Sequence, residues 1–491
     1  MADVLITHSY FLRFDSKQWK AMQPYPPLGT LYAVSVLREA GFEVGFFDPM
    51  FSRSSDELIP CLQKEKPSIF VIYDDCFNYL TKMCLSNMRN AAYNMIALAK
   101  SFGCRVIVAS SDAADNYGLY LEKGADFVIV GEGEISLRQL IIAMSVGEEM
   151  DFSLVEGIAF KKQEKVTTTV KRQVINNLDL LPLPAWDVVD VDKYKNRWLR
   201  AHGYFSLNMV TTRGCPYKCN WCAKPIYGNR YNSHSPERIV DELEILITKY
   251  SPDHIWFCDD IFGLKPGWIN QFTELVVDRS LEFRFKIQSR ADLLVKEETV
   301  RLLAEGGCES VWLGAESGSQ KILDAMDKGI TVGQIYQATL LLKRHNIKPS
   351  FFLQFGYLGE LIDDINLTIR MVNDLLPDDI GVSVSYPLPG TVFYGKVKEE
   401  LKIKANWVDS DDLDLMFRNT YSPRFYKRLH RYIHKVYRKR QARDYLAILF
   451  NPQRKKDINY RRLVSYPYYY LMSEIEKYRL KRIEPNASTG F

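Results

Sequence analysis

The sequence predicts an α/β protein with an N-terminal doubly wound parallel sheet, then a six-strand partial (β/α) barrel and a helical C-terminal tail. Three observations carry this. Short runs rich in Val, Ile and Phe alternate with amphipathic helical stretches, which is the pattern of a parallel sheet covered on both faces. The alternation occurs in two series, separated by a Pro- and Asp-punctuated connector. Beyond about residue 415 the texture changes to Arg, Lys and Tyr.

In the first series, "DVLIT" (3–7), "VGFFD" (44–48), "SIFVIYD" (68–74), "RVIVAS" (105–110) and "FVIVG" (127–131) are strands. "LGTLYAVSVLREAGF" (28–42) is an amphipathic helix ending at Gly41. These make a five-stranded domain over 1–150, with its ligand crevice at the carboxyl ends of the strands. Residues 151–200 hold a small β-hairpin, "GIAFKKQEKVTTTVKR", and a linker, "NNLDLLPLPAWDVVDVDKY". The second series, 201–415, has strands at 205–211, 254–258, 283–287, 310–314, 350–354 and 381–385. Ser235-Pro236-Glu237 starts a helix that puts Ile239, Val240, Leu243, Leu246 and Ile247 on one face, and Gly306 and Gly329 stand where helices end. Six strand–helix units suit a partial barrel whose chemistry lies at the carboxyl ends. The extension 416–491 is basic and helical, notably 421–450 and 470–478.

At 491 residues the chain has room for roughly three domains. With 47% hydrophobic and 25% charged residues it is ordinary for a globular protein, and a net charge of +4 does not by itself argue for nucleic acid. No apolar run reaches the length of a membrane span, and the start reads as no signal peptide. Nine scattered cysteines suit a reducing cytoplasm better than a disulfide framework.

Cys215, Cys219 and Cys222 are the exception to that scatter, forming C-x-x-x-C-x-x-C directly after the first strand of the second series. A structural zinc site takes four ligands, and no second pair follows at suitable spacing. Cubane iron–sulfur clusters also use thiolates, normally four. Three leave one iron without a protein ligand, an open position for a substrate. Tyr217 and Trp221 flank the thiols and shield them from water.

With this motif the chain resembles the radical S-adenosylmethionine (SAM) enzymes, in particular the subgroup with an N-terminal cobalamin-binding-type domain that includes the anaerobic magnesium-protoporphyrin ester cyclase. The resemblance spans roughly residues 1–400. It implies a [4Fe–4S] cluster on Cys215, Cys219 and Cys222, with SAM chelating the fourth iron and being cleaved to methionine and a 5′-deoxyadenosyl radical. It also implies an external electron donor of the flavodoxin or ferredoxin type. In "FCDDIFG" (257–263), Asp259 or Asp260 stands where the family contacts the SAM amino group, although loop-capping aspartates read the same way. Gln288 and Arg290 end the third strand, Arg290 either meeting a carboxylate or serving structure. Glu316 matches the glutamate near SAM or caps a helix, and Ser317 and Gly318 permit close backbone approach. "FGYLGE" with Gly356 and "YPLPGT" with Pro387 resemble segments that close the SAM pocket, and they are also ordinary turn sequences. Cys258 and Cys308 read as small buried hydrophobes, and His234 as a capping or surface residue.

The first domain lacks the D-x-H-x-x-G that supplies a histidine to cobalamin. Its nearest histidine, His8, has neither the Asp before it nor the Gly after it. The loop 108–118 also departs from the Gly-Gly-Pro-like turn of relatives, while "GEGE" (131–134) fits the subgroup. Two readings stand: cobalamin held without histidine, or a domain that only shapes a substrate chamber. The substrate is then a hydrophobic or cofactor-like small molecule, lipid-like or tetrapyrrole-like, that is methylated, oxidised or cyclised. A methylthiotransferase acting on RNA or protein would want a second cysteine set, which Cys61, Cys76, Cys84 and Cys104 do not form. A non-catalytic iron–sulfur protein has no use for Asp259, Asp260 and Glu316. Arg424, Lys427, Arg428, Arg431, Lys435, Arg438, Lys439, Arg440 and Arg443 make either a solvated structural helix or a surface for anionic lipid or substrate, with nucleic acid the weakest reading.

Overall fold

Strand burial follows the expectation for a doubly wound sheet. In the computed structural model, which describes residues 2–77, 85–146, 151–224, 226–401, 406–449 and 460–484, β1 (Val4–Thr7) and β3 (Ile69–Tyr73) are buried along their whole length. With β2 (Val44–Phe47), β4 (Arg105–Ala109) and β5 (Phe127–Ile129) they pair in parallel. Successive side chains point to opposite faces. Val4, Ile6 and Val71 therefore meet Ala33, Val34 and Leu37 of α1 (Leu28–Glu39). Leu5, Phe70 and Ile72 meet Met95 and Ile96 of α2 (Ser86–Ser101).

The sheet has seven strands rather than the five expected, in the order β2-β1-β3-β4-β5-β6-β7. The hairpin of β6 (Ile158–Lys162) and β7 (Lys165–Thr168), expected as part of the connector, pairs antiparallel with β5. An uncovered β5 would leave a row of unpaired backbone groups, and β6 supplies both those hydrogen bonds and buried Ile158, Ala159 and Phe160. After β5 comes α3 (Glu134–Val146).

The second series opens with β8 (Ser206–Met209), followed by a two-residue ladder of β9 (Thr212–Arg213) with β10 (Asn232–Ser233). Then come β11 (His254–Phe257), β12 (Arg284–Ser289), β13 (Cys308–Glu316), β14 (Lys348–Phe355) and β15 (Asp379–Val384). The six-stranded sheet runs β15-β14-β13-β12-β11-β8, the parallel arrangement expected of a partial barrel. β13 is longer than expected and carries a register shift between Gly314 and Glu316. Ser235 caps α4 (Pro236–Tyr250) by accepting from the Arg238 amide, with Pro236 in the first turn. Phe257 and Phe285 pack on Phe272 of α5 (Trp268–Asp278). Gly306 caps its helix in a right-handed conformation, and Gly307 takes the left-handed turn with φ +95°.

Packing divides the chain into two compact units. One holds Met1–Pro216, Lys224–Ile287 and Asn406–Asp412, and the other holds Tyr217–Ala223, Gln288–Ala405 and Leu413–Phe491. In the second unit, α6 (Gln320–Ala325), α7 (Ile362–Leu375), α8 (Pro423–Leu449) and α9 (Tyr466–Ile483) matter below. Of the nine basic residues singled out in α8, five face an acid: Lys427 meets Asp414, Arg428 meets Glu476, Arg438 meets Asp379, Lys439 meets Glu474 and Arg440 meets Asp444. Together with buried Phe425, Leu429, Ile433 and Tyr437, that makes α8 a packed structural helix. Among the described residues no helix is long and apolar enough to cross a membrane. Cys84, weighed with the N-terminal cysteines, lies outside the described residues.

Candidate active site

The backbone that leads from β8 to Cys215 is under tight control from its own unit. Asp259, fully buried at the end of β11, accepts from the amides of Thr211 (2.7 Å) and Thr212 (2.9 Å) and from the Thr211 hydroxyl (2.5 Å). Burial pushes its pKa up to about 7 despite those donors. The first carboxylate of the "DD" pair is thereby committed to the backbone that launches the cysteines, whereas Asp260 is exposed. Arg213, two residues before Cys215, is also buried. It bonds Glu132 (2.5 Å) and Glu134 (2.8 Å), the two carboxylates of "GEGE", and lies over the rings of Tyr32, Phe77 and Tyr227. Gly214 between them has φ +83°, and a Cβ there would collide with the Arg230 carbonyl oxygen.

A second group forms in the other unit. Arg290 stacks its guanidinium 3.6 Å from the Tyr217 ring centroid and bonds Asp292 (3.0 Å) and the Lys328 carbonyl (2.8 Å). It also reaches to 3.9 Å from the Cys219 sulfur. Lys328, nearly fully buried, pairs with Glu316 at 2.8 Å and lies 5.9 Å from the Trp221 ring centroid. Burial works to lower the Lys328 pKa, but the Glu316 carboxylate outweighs it and holds the ammonium above its ordinary value. Gly314 makes this pairing fit, because a Cβ there would come 2.6 Å from the Lys328 nitrogen. Glu316 sits at φ +56°, a strained conformation for glutamate. Asn220, inside the cysteine motif, is held by the Ala325 carbonyl, Asp327 and the Tyr357 hydroxyl.

The remaining expected residues are placed differently. Ser317 bonds Thr368, and a Cβ on Gly318 would strike the Leu367 carbonyl, so the close backbone approach there is that of α7. Gly356 donates to Glu360 (2.6 Å) within its own loop and accepts from Asn419 (2.5 Å), just before α8. Gln288 is half-buried at the end of β12, and Pro387 is buried after β15. Arg213 and Lys328 were not singled out from sequence. Lys328 in "MDKGI" reads as a solvent-exposed residue before a helix-ending glycine, and only the missing side chain at Gly314 hints otherwise.

Among the described residues no three His, Cys, Asp or Glu side chains converge on a single-ion site. A cubane cluster places its thiolates on separate irons. The donor chemistry fits such a cluster: three thiols on one loop, with the cationic Arg290 and Lys328 near Cys219. The indole N–H of Trp221 is buried without a partner between Cys219 and Cys222 in sequence, and it suits a sulfur acceptor.

Residues 209–372 match the family model described as the Radical SAM superfamily. The chain carries a radical SAM domain. It is 28% identical over 389 residues to an uncharacterised methyltransferase of Pyrococcus horikoshii, covering 78% of this chain and 81% of that one. It is 24% identical over 418 residues to the anaerobic magnesium-protoporphyrin IX monomethyl ester cyclase of Synechocystis sp., covering 81% and 78%. Among solved structures it is similar to the radical SAM methyltransferase TsrM of Kitasatospora setae, with cobalamin and a [4Fe–4S] cluster bound (TM-score 0.67, 19% identity, 81% of this chain and 75% of that one). It is similar as well to the cobalamin-dependent radical SAM enzyme OxsB (TM-score 0.74, 18% identity, 99% and 74%). At these identities the likeness is one of fold, and it spans the first sheet as well as the radical SAM domain. With that domain the protein is a radical SAM enzyme.

Proposed function

We propose that Cys215, Cys219 and Cys222 hold a [4Fe–4S] cluster with one iron open to SAM, and that the enzyme uses cobalamin to methylate a hydrophobic or tetrapyrrole-like small molecule. When bound, the cluster supplies the electron that splits a carbon–sulfur bond of SAM into methionine and a 5′-deoxyadenosyl radical. The observation that carries this reading is the three-thiol loop at the carboxyl end of the first strand of a radical SAM domain. Arg290 and Lys328 offset the negative charge of the thiolates, and Tyr217 and Trp221 exclude water. Asp259 seats the loop, which leaves Asp260 to meet the SAM amino group. Glu316 accepts hydrogen bonds from SAM, and Gly356 and Pro387 border its adenine.

Cobalamin, when bound, supplies a methyl carrier. His8 does not fit as its axial ligand, because its two ring nitrogens are taken by Asp48 (3.1 Å) and the Tyr10 amide (3.2 Å). A polar ligand does fit elsewhere in that unit, where Tyr32 Oη, Glu134 Oε2, Thr212 Oγ1, Arg213 Nε and His234 Nε2 are buried without hydrogen-bond partners among the described residues. Tyr32, Glu134, Thr212 and His234 would hold it by polar contacts. Methyl transfer draws on the relatives named as methyltransferases, which stand beside relatives named as ester cyclases. Free cysteines and a reducible cluster suit the cytoplasm and a small external electron donor.

Anaerobic reconstitution with iron and sulfide, then dithionite and SAM, tests the reading. The expected products are 5′-deoxyadenosine and, with cobalamin present, S-adenosylhomocysteine. An intact cluster that leaves SAM whole would overturn it, and unchanged cluster absorbance in Cys219→Ala would overturn the ligand assignment. Protein from cobalamin-fed cells should show the corrin visible spectrum; a colourless preparation after cluster removal rejects cobalamin.

A further inference from the structure

In β8, β11 and β12 the register aligns Asn208, Trp256 and Lys286 in one row across three strands. Their strand neighbours Phe257 and Phe285 point to the opposite face, where they pack on α5. The row therefore occupies the face turned away from the covering helix. Phe257 and Phe285 are fully buried apolar groups, as a covered face demands, and the other face is polar in a way packing does not explain.

Lys286 holds its ammonium 4.8 Å from the Trp256 ring centroid and 5.3 Å from that of Tyr25. Among the described residues no carboxylate pairs with it, and burial pushes its pKa down to about 8. Aromatic faces attract a cation, but they do not replace the hydrogen bonds an ammonium loses on leaving water. Lys286 is half-buried as a residue, whereas Trp256 beside it and Asn208 one strand further along the row are buried. Asn208 is fully buried. It donates to the Pro26 carbonyl at 3.1 Å, and its Oδ1 has no partner. One face of three adjacent strands thus presents a cation lacking an anion and an acceptor lacking a donor, two strands apart with Trp256 between them.

We propose that this row is a substrate anchor: Lys286 binds an oxyanion of the substrate, a carboxylate or a phosphate, and Asn208 accepts from an adjacent O–H or N–H of the same molecule. The inference rests on the radical SAM reading for what happens to that molecule, and it narrows the substrate to one with an anionic end. A lysine that merely fills space against Trp256 and Tyr25 would be indifferent to anions.

Trace acetic anhydride labelling of the reconstituted protein at pH 8, read lysine by lysine by mass spectrometry, separates the two. The neutral amine forms the amide, acetate leaves, and the proton goes to solvent. An anion bound at the ammonium raises its pKa, and a rise of one unit from about 8 slows labelling at pH 8 about fivefold. Phosphate, propionate and lactate are compared at equal ionic strength with chloride. Slowing of Lys286 alone by phosphate identifies a phosphate end, and slowing by propionate and lactate identifies a carboxylate. Lactate, with its hydroxyl, should protect at lower concentration than propionate, and Asn208→Leu should erase that difference. Lys286→Met should remove the signal and keep the cluster absorbance. If no anion slows Lys286 selectively, the anchor is overturned; if lactate and propionate protect equally, the role of Asn208 is. Because labelling does not depend on SAM cleavage, failure of either proposal is seen apart from the other.

Discussion

Arg213 and the two glutamates of "GEGE" form a buried ion triad that seats the cysteine loop. Replacing Arg213 by Met strands two buried carboxylates, and a loss of roughly 3–5 kcal/mol in chemical denaturation is expected. Gly214→Ala forces a side chain into the Arg230 carbonyl at a left-handed position. Its expected result is a folded protein that takes up much less iron and sulfide on reconstitution, checked by cluster absorbance. Glu242, buried beside the Trp186 indole (3.5 Å), has its pKa pushed up to about 7 by burial. The folded state then binds its proton more tightly than the unfolded chain, so stability falls as pH rises from about 4.5 to 7. Glu242→Gln should match the parent near pH 4 and exceed it by roughly 3 kcal/mol above pH 7, read from urea midpoints across pH. Equal pH profiles for the two proteins would contradict this.

At the scale of elements, α4 owes its start to one side chain. Ser235 satisfies the Arg238 amide while Pro236 pre-sets the first turn. Ser235→Ala should cost about 1 kcal/mol in thermal or urea unfolding, with the cluster still formed. The tail helices illustrate a different balance. The basic residues of α8 look like a charged surface in sequence, yet five of the nine are matched by acids from α9, β15 and nearby chain. Asp444 is four residues from Arg440, but the partners of Arg428, Arg438 and Lys439 lie 35 to 59 residues away, and nothing in the local composition announces them.

At the scale of the molecule, the chain does not finish one compact unit before starting the next. Residues 406–412 return to the unit built from the N-terminus, where the Ser410 hydroxyl donates to Asp15 at 2.8 Å and its amide at 3.2 Å. Trp407 bridges Leu85, and its carbonyl accepts from the Ser86 amide at 2.7 Å. Asp15 is fully buried and also caps the short helix that follows it. Asp15→Ala should therefore leave several donors unmatched and lower stability by about 1–3 kcal/mol, measured as a fall in Tm. No change in Tm would mean that the returning segment holds by its apolar contacts alone.

The alternation of buried strands with amphipathic helices, and the three-thiol loop between them, were legible in the amino-acid sequence because both are set by local spacing. Strand period, helix caps and the C-x-x-x-C-x-x-C interval need no knowledge of distant partners. Which carboxylate of Asp259 and Asp260 turns inward, why "GEGE" carries two acids, and that Lys328 meets Glu316 were decided only by tertiary structure. So were the attachment of the 158–168 hairpin to the first sheet and the row of Asn208, Trp256 and Lys286. Each depends on register or on contact between residues that lie from 12 to 81 positions apart. A single side chain's environment comes from the elements packed around it, and those elements are not adjacent in the sequence.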